Sequence, residues 1–392
     1  MRFSKGLVVL PVALVIHCCP VGIVAGEGQS GQPSPVSSTY RGPDIEGLTK
    51  GYAEFTAGRF DRAIQYYSDA IDSGVLVAKK DRADALILRG DAYRAKHEFE
   101  PGLTDFSAAI ALRPGYARAY VKRGKTYRDA GMYEPAIHDF SEAIRLKPAK
   151  AELWRLRAST YLILDDLDAA SSDADQAVRL EPHSAKALTT RGRIYRATRQ
   201  EGLAISDFSA AVANDPNADY AFGQRGISYL RTKKYSEAIA DFGHAIALNP
   251  YRADYYARRA LAFARMGNRA QAVEDIERAT KRDARDPYLR FLHGRVLVEL
   301  GQPEQAVTEY TRALALFPRY AKAYCGRASA MQAVGRGAEA LADLDQGIKL
   351  APDDEFCAKV RGLILTGSGT AEHLPVEDDA HEPVAIEPPG SE

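Results

Sequence analysis

From about residue 44 to residue 365 the apolar positions recur at i, i+3, i+4 and i+7, the spacing that turns one face of a helix towards a neighbour. The stretch from Ala117 to Pro148 shows how the pattern works. Tyr120, Tyr127 and Phe140 supply bulk, Gly124 and Ala143 let two helices approach closely, and Pro148 ends the run and redirects the chain. A pair of such helices cannot bury its apolar face alone. Stability must come from stacking pairs, which predicts an all-α protein.

The pattern also repeats at a fixed step. Pro114, Pro148, Pro182, Pro216 and Pro250 stand 34 residues apart, and after Ala284 the series resumes at Pro318 and Pro352. Gly90, Gly124, Ala158, Gly192, Gly226, Ala260, Gly294 and Ala328 keep the same step, as do Tyr93, Tyr127, Tyr161, Tyr195 and Tyr229, and Ala136, Ala170, Ala204, Ala238, Ala272, Ala306 and Ala340. Small residue, aromatic, alanine and proline at these offsets resemble the tetratricopeptide repeat (TPR) family. The resemblance implies a right-handed solenoid of about nine helix-turn-helix repeats with a concave inner wall. The units span 44–82, 83–116, 117–150, 151–184, 185–218, 219–252, 253–286, 287–320 and 321–354, with a five-residue insertion in the first unit around Ser73 to Lys80. A capping helix is expected over 355–365, and Trp154 is expected in the core.

One polar ladder keeps the period. Arg89, Arg123, Arg157, Arg191, Arg225, Arg259 and Arg327, with His293 in the eighth place, are each followed 16 residues later by an acid, Asp105, Asp139, Asp173, Asp207, Asp241, Asp275, Asp343 and Glu309. Because every cation has its acid, the ladder reads as structural ion pairs, within a unit or across a junction, rather than as an anion site.

Positions that vary between units bear on function. In TPR arrays the second, fifth, ninth, twelfth and thirteenth residues of each first helix line the groove. That rule assigns Arg94, Arg118, Lys125, Arg128, Arg155, Lys186, Arg193 and Arg196 to the wall of units 2–5, against Asp84, Asp91, Asp129 and Glu152. It assigns Tyr220, Ile227, Leu230, Leu261, Tyr288, Phe291 and Val298 to units 6–8, with Arg231, Arg265 and Arg295 among them. The expected groove is basic at one end and apolar at the other, suited to an extended peptide or protein segment, an acidic one included. The Lys/Asn/Arg clamp with which chaperone-binding relatives hold a C-terminal carboxylate has no counterpart here.

Composition narrows the choice of partner. The chain has 392 residues with 52 Lys+Arg and 52 Asp+Glu, a formal net charge of zero that argues against a nucleic-acid partner. No phosphate loop, Gly-x-Ser-x-Gly or His-Glu-x-x-His occurs, and the eight histidines lack metal-ligand spacing, so no enzyme, cofactor or metal is expected. Arg2 and Lys5 precede an uncharged stretch to Ala25, which reads as a signal peptide over 1–25 with a disordered linker over 26–43. That implies a periplasmic or secreted, cell-envelope location, with membrane contact only if the segment stays uncleaved. Cys18 and Cys19 fall in that segment; Cys325 and Cys357, 32 residues apart, could bridge neighbouring helices in an oxidising compartment, but two buried or incidental cysteines are the commoner explanation and the expectation here. Residues 366–392 carry seven acids and no Lys or Arg, a composition that predicts a disordered tail able to fold back onto a basic groove. The reading is a non-enzymatic interaction scaffold. The alternative is an accessory protein recognising an anionic glycan for an envelope enzyme or secretion machine.

Overall fold

The computed structural model describes residues 43–74 and 76–366, and among these every regular element is an α-helix. The segments read as signal peptide, linker and acidic tail lie outside the described residues, apart from Pro43 and Thr366 at their edges. Nine helix pairs follow one another: α1 (Pro43–Thr56) with α2 (Phe60–Asp72), α3 (Lys79–Ala95) with α4 (Phe99–Leu112), α5 (Ala117–Asp129) with α6 (Tyr133–Leu146), α7 (Ala151–Ile163) with α8 (Leu167–Leu180), α9 (Ala185–Ala197) with α10 (Glu201–Asn214), α11 (Asp219–Arg231) with α12 (Tyr235–Leu248), α13 (Ala253–Arg265) with α14 (Arg269–Arg282), α15 (Pro287–Glu299) with α16 (Pro303–Leu316), and α17 (Ala321–Ala333) with α18 (Gly337–Leu350). A last helix, α19 (Glu355–Thr366), closes the array. Part of the insertion in the first unit is helical, because α3 starts at Lys79 and runs for 17 residues where α5 has 13.

Local chemistry explains the turns. Each first helix hands over to its partner through one residue in the left-handed region: glycine at Gly58, Gly131, Gly267, Gly301 and Gly335, but His97, Asp165, Arg199 and Lys233 in the equivalent places. Where the proline series fails at Ala284, capping chemistry takes over. Asp283 accepts from the Arg285 amide at 3.1 Å and Asp286 from the Tyr288 amide at 2.8 Å, with Pro287 opening α15.

Within a unit the helices meet at the small-residue ladder. A Cβ at Gly90, Gly124, Gly192, Gly226 or Gly294 would come within 2.6–3.0 Å of the ring of Phe106, Phe140, Phe208, Phe242 or Tyr310, respectively. Where alanine replaces glycine, at Ala158, Ala260 and Ala328, the residue 16 positions on is the ringless Ala174, Ile276 or Leu344. Small and large exchange volume across each pair, as dense packing demands.

The arginine ladder joins these pairs. Nε and Nη2 of each ladder arginine donate to the two carboxylate oxygens of its aspartate at 2.6–2.9 Å, in all seven Arg–Asp rungs. Nη1 turns the other way, donating to the second helix of the preceding unit: Arg89 to Ser68, Arg123 to Ser107, Arg157 to Ser141, Arg191 to Asp175, Arg225 to Ser209 and Arg327 to Thr311, at 2.9–3.3 Å. One guanidinium therefore fixes both the pair and the junction. Gly243 stands where Arg259 would find such a hydroxyl. Aromatic rings flank the planes, Arg123 lying 5.8 Å from both Tyr120 and Tyr127. In the eighth rung His293 lies 3.6 Å from Glu309, which Arg290 and Arg312 also approach at 3.1 and 2.5 Å. Burial, helped by those arginines and opposed by Glu309, pushes the His293 pKa down.

Two expectations are corrected. Cys325 and Cys357 form a disulfide, with an S–S distance of 2.02 Å and Cα atoms 5.3 Å apart, because α19 stacks on α17 as the first helix of a tenth unit would. Trp154 is half-buried, its indole N–H donating to the Pro148 carbonyl at 2.8 Å at the edge of the core.

Candidate ligand groove

The inner wall is built from successive first helices, α3, α5, α7, α9, α11, α13, α15 and α17. In units 2–5 its cations do two things at once. Arg94 donates to Asp129 at 2.5 Å, Lys122 pairs with Asp91 at 2.7 Å and Lys125 with Glu152 at 3.7 Å, each contact joining one first helix to the next. Arg128 reaches Ser159 at 3.5 Å, and Arg196 donates to Gln224 Oε1 at 2.6 Å and to the Gln224 carbonyl at 3.2 Å. Tyr116 donates to Asp84 in the same manner. Burial works to raise the Glu152 pKa, but Lys150, Lys125 and Arg155 outweigh it and hold the carboxyl below its ordinary value.

Charge is unevenly spread along this wall. Asp84, Asp91 and Asp129 all belong to units 2 and 3 and are all engaged, and Glu152 opens unit 4. Unit 5 contributes Lys186, Arg193 and Arg196 at its groove positions and no acid. Lys186 is exposed, and Arg94, Arg118, Lys125, Arg128 and Arg193 are half-buried. Arg155 and Arg196 are buried, so they contribute field and packing more than direct contact.

The apolar end does not form as expected. Ile227, Leu230, Leu261 and Phe291 are 2, 1, 2 and 0% exposed and belong to the core instead of lining pockets. Ile227 and Leu230 pack with Phe242 and Tyr255, and Leu261 with Leu292 and Val296. Phe291 is covered by Tyr320 and Phe356, whose ring centroids lie 5.3 and 6.1 Å away. These side chains pack between neighbouring helices instead of facing the wall's surface. Tyr220 and Tyr288 remain half-buried at the surface.

One cluster escaped the sequence reading. Tyr255 stands at the third position of α13, where α5, α9 and α11 carry Ala119, Ala187 and Ala221, and its ring fills the space where a Cβ on Gly223 would stand, 2.5 Å from Cε1. Its hydroxyl donates to Asp219 at 3.1 Å, and burial pushes its pKa up. The Arg252 guanidinium lies 4.6 Å from the Tyr255 ring and 5.6 Å from Tyr220, whose ring Arg193 also approaches at 5.8 Å. Burial opposes the Arg252 charge, yet Asp254 and the adjoining tyrosines raise its pKa overall. The available signal was the exchange of a large for a small residue between Tyr255 and Gly223. Among the described residues no cluster of His, Cys, Asp or Glu could hold a metal ion, and no helix is long and apolar enough to cross a membrane.

Comparison with known proteins agrees with this geometry. Tetratricopeptide repeat models match residues 48–117 and 161–219, a second such model matches 117–150, 220–252 and 253–286, and a TPR repeat model matches 294–335. Among solved structures, the APC/C hetero-tetramer Cut9–Hcn1 superposes with a TM-score of 0.53 at 15% identity, covering 83% of this chain and 70% of that one. A tetratricopeptide repeat protein from Parabacteroides merdae aligns at 19% identity over 70% of this chain and 93% of its own, with a TM-score of 0.43. YrrB, described as a TPR protein with an unusual peptide-binding site, aligns at 24% identity over 46% of this chain and 93% of its own, with a TM-score of 0.36. No curated protein sequence matches the chain. With repeat models matching along most of the helix pairs, the chain belongs to the tetratricopeptide repeat family.

Proposed function

We propose that this TPR protein is a non-enzymatic scaffold of the cell envelope that holds an extended acidic segment of a partner protein against its inner wall. Binding other proteins is the general role of the family; the acidic character of the ligand is the further step. The observation that carries it is the charge excess at units 4 and 5, where Arg155, Lys186, Arg193 and Arg196 share one stretch of wall with Glu152 as the single acid among their groove positions. Carboxylates meeting arginine there gain charge-assisted hydrogen bonds, and Tyr220 between Arg193 and Arg252 offers a flat face for an apolar or aromatic neighbour in the same segment. The apolar stretch ending near Ala25 and the Cys325–Cys357 bridge both support an oxidising, exported location.

The test is photo-crosslinking in the native host from Lys186, from Tyr220 and, as an outer-face control, from Glu237. A discrete protein adduct at the first two positions and not at the third is expected. Carbohydrate in place of protein at Lys186 would favour the anionic-glycan reading, and adducts only at Glu237 would remove the inner wall from consideration.

A further inference from the structure

The C-terminal helix lies where it can serve the groove. The ring of Phe356, the second residue of α19, meets Phe291 edge-on at 6.1 Å and lies 5.5 Å from the Arg295 guanidinium, both groove positions of α15. The next residue, Cys357, is bonded to Cys325, the fifth residue of α17 and itself a groove position. The preceding residue, Glu355, pairs with Arg199 in the turn between α9 and α10, 156 positions earlier in the chain. The start of α19 is therefore pinned to the inner wall of units 8 and 9 and touches the edge of unit 5.

The sequence beyond α19 complements that edge. Glu372, Glu377, Asp378, Asp379 and Glu382 follow with no lysine or arginine among residues 367–392. Unit 5 presents Lys186, Arg193 and Arg196 with no acid at its groove positions. Distance is no obstacle. α19 is 12 residues long, about 18 Å of helix, and eleven residues of extended chain from Thr366 to Glu377 can cover about 36–40 Å.

We infer that the acidic stretch 372–382 docks on the inner wall of units 4 and 5 of its own chain, as a resident ligand that a partner must displace. The inference rests on the proposed reading of that wall as an acid-binding surface. Tethering supplies an effective concentration of about 1 mM, so a segment with an intrinsic Kd of about 0.1 mM would occupy the wall in about nine chains of ten and weaken a competitor about tenfold. Such a device favours partners with more carboxylates, or better placed apolar side chains, than the tail itself carries.

The experiment uses the full chain and a labelled synthetic peptide with the sequence of residues 372–387, followed by fluorescence anisotropy. Five substitutions, E372Q, E377Q, D378N, D379N and E382Q, neutralise the docking stretch while leaving its length unchanged. The neutralised chain should bind the peptide about tenfold more tightly than the native chain, a difference that closes at high salt. K186E/R193E in the neutralised chain, checked for unchanged melting temperature, should abolish the binding. Equal affinity of native and neutralised chains would overturn the docking while leaving the wall an acid-binding surface. Failure of both chains to bind would remove the acid-binding surface as well. A difference that appears only as protein concentration rises would assign the tail to a neighbouring copy and overturn docking within one chain.

Discussion

Units 3–5 and units 7–9 carry rungs at the same places, with His293–Glu309 replacing Arg–Asp in unit 8, but their apolar residues are gathered differently. In the first group the buried apolar residues fall into small separate clusters, and Lys125–Glu152 joins consecutive first helices across the wall, as the buried pair Arg265–Glu299 does at 2.8 Å in the second. In the second group one apolar cluster runs from Tyr256 to Val360, taking in Phe291, Tyr310, Tyr320 and Phe356, and a disulfide fastens its end. The same repeat can thus leave its groove positions polar and partly exposed at one end and buried in a continuous core at the other, according to what stands at those positions.

The comparison can be broken most forcefully at a rung. Asp139 is 1% exposed beneath Arg123, so Asp139→Ala should cost about 3–5 kcal/mol by stranding a partly buried guanidinium. The double variant R123M/D139L should cost less than the single one. Urea denaturation decides, and a double variant as damaged as the single would show that the rung is not behaving as a buried pair. A second test separates the two ends. Replacing Cys325 and Cys357 by serine should lower stability by about 2–4 kcal/mol, with hydrogen-exchange protection lost in α17 to α19 and unchanged in α5 to α9. Uniform loss would mean that the groups do not differ as described.

Packing within a pair gives a smaller effect. Gly192→Ala drives a Cβ into the Phe208 ring, which the structure places 2.6 Å away, and should cost about 1–3 kcal/mol. F208L in the same chain should restore part of the loss, since Ala260 already faces Ile276. The weakest effect is pH dependence at the eighth rung. His293 has its pKa lowered by burial from 6.5, so between the lowered value and 6.5 the unfolded chain binds more protons than the folded one. Stability contributed by the neutral side chain is present above that window and is lost as pH falls through it. H293Q should flatten the thermal-melting profile there, and an unchanged profile would exonerate the histidine.

Much of this was legible in the sequence because a solenoid is local. The step of 34, the exchange of Gly124 and Phe140 for Ala158 and Ala174, and the 16-residue Arg–acid offset are each settled within one pair of helices. Exposure at the expected groove positions was legible only where the residues are long and charged. Lys186 and Arg193 keep water contact however closely helices approach, whereas Ile227, Leu230, Leu261 and Phe291 follow the curvature of the array, which no single repeat encodes. The disulfide and the Tyr255–Gly223 exchange were hidden for the same reason, since each depends on how one unit leans on the next.

Gly243 gives that lean a mechanical meaning. At the junction of α12 and α13 the outer side lacks the hydroxyl that five other arginines of the ladder find, while the inner side is clasped by Tyr255 on Asp219 and by Arg252 between two tyrosines. Arg259 thus keeps its two bonds to Asp275 with a glycine in place of the acceptor in α12. Gly243→Ser should give the Arg259 Nη1 a hydroxyl and tie α13 to α12 as the other ladder arginines tie their units.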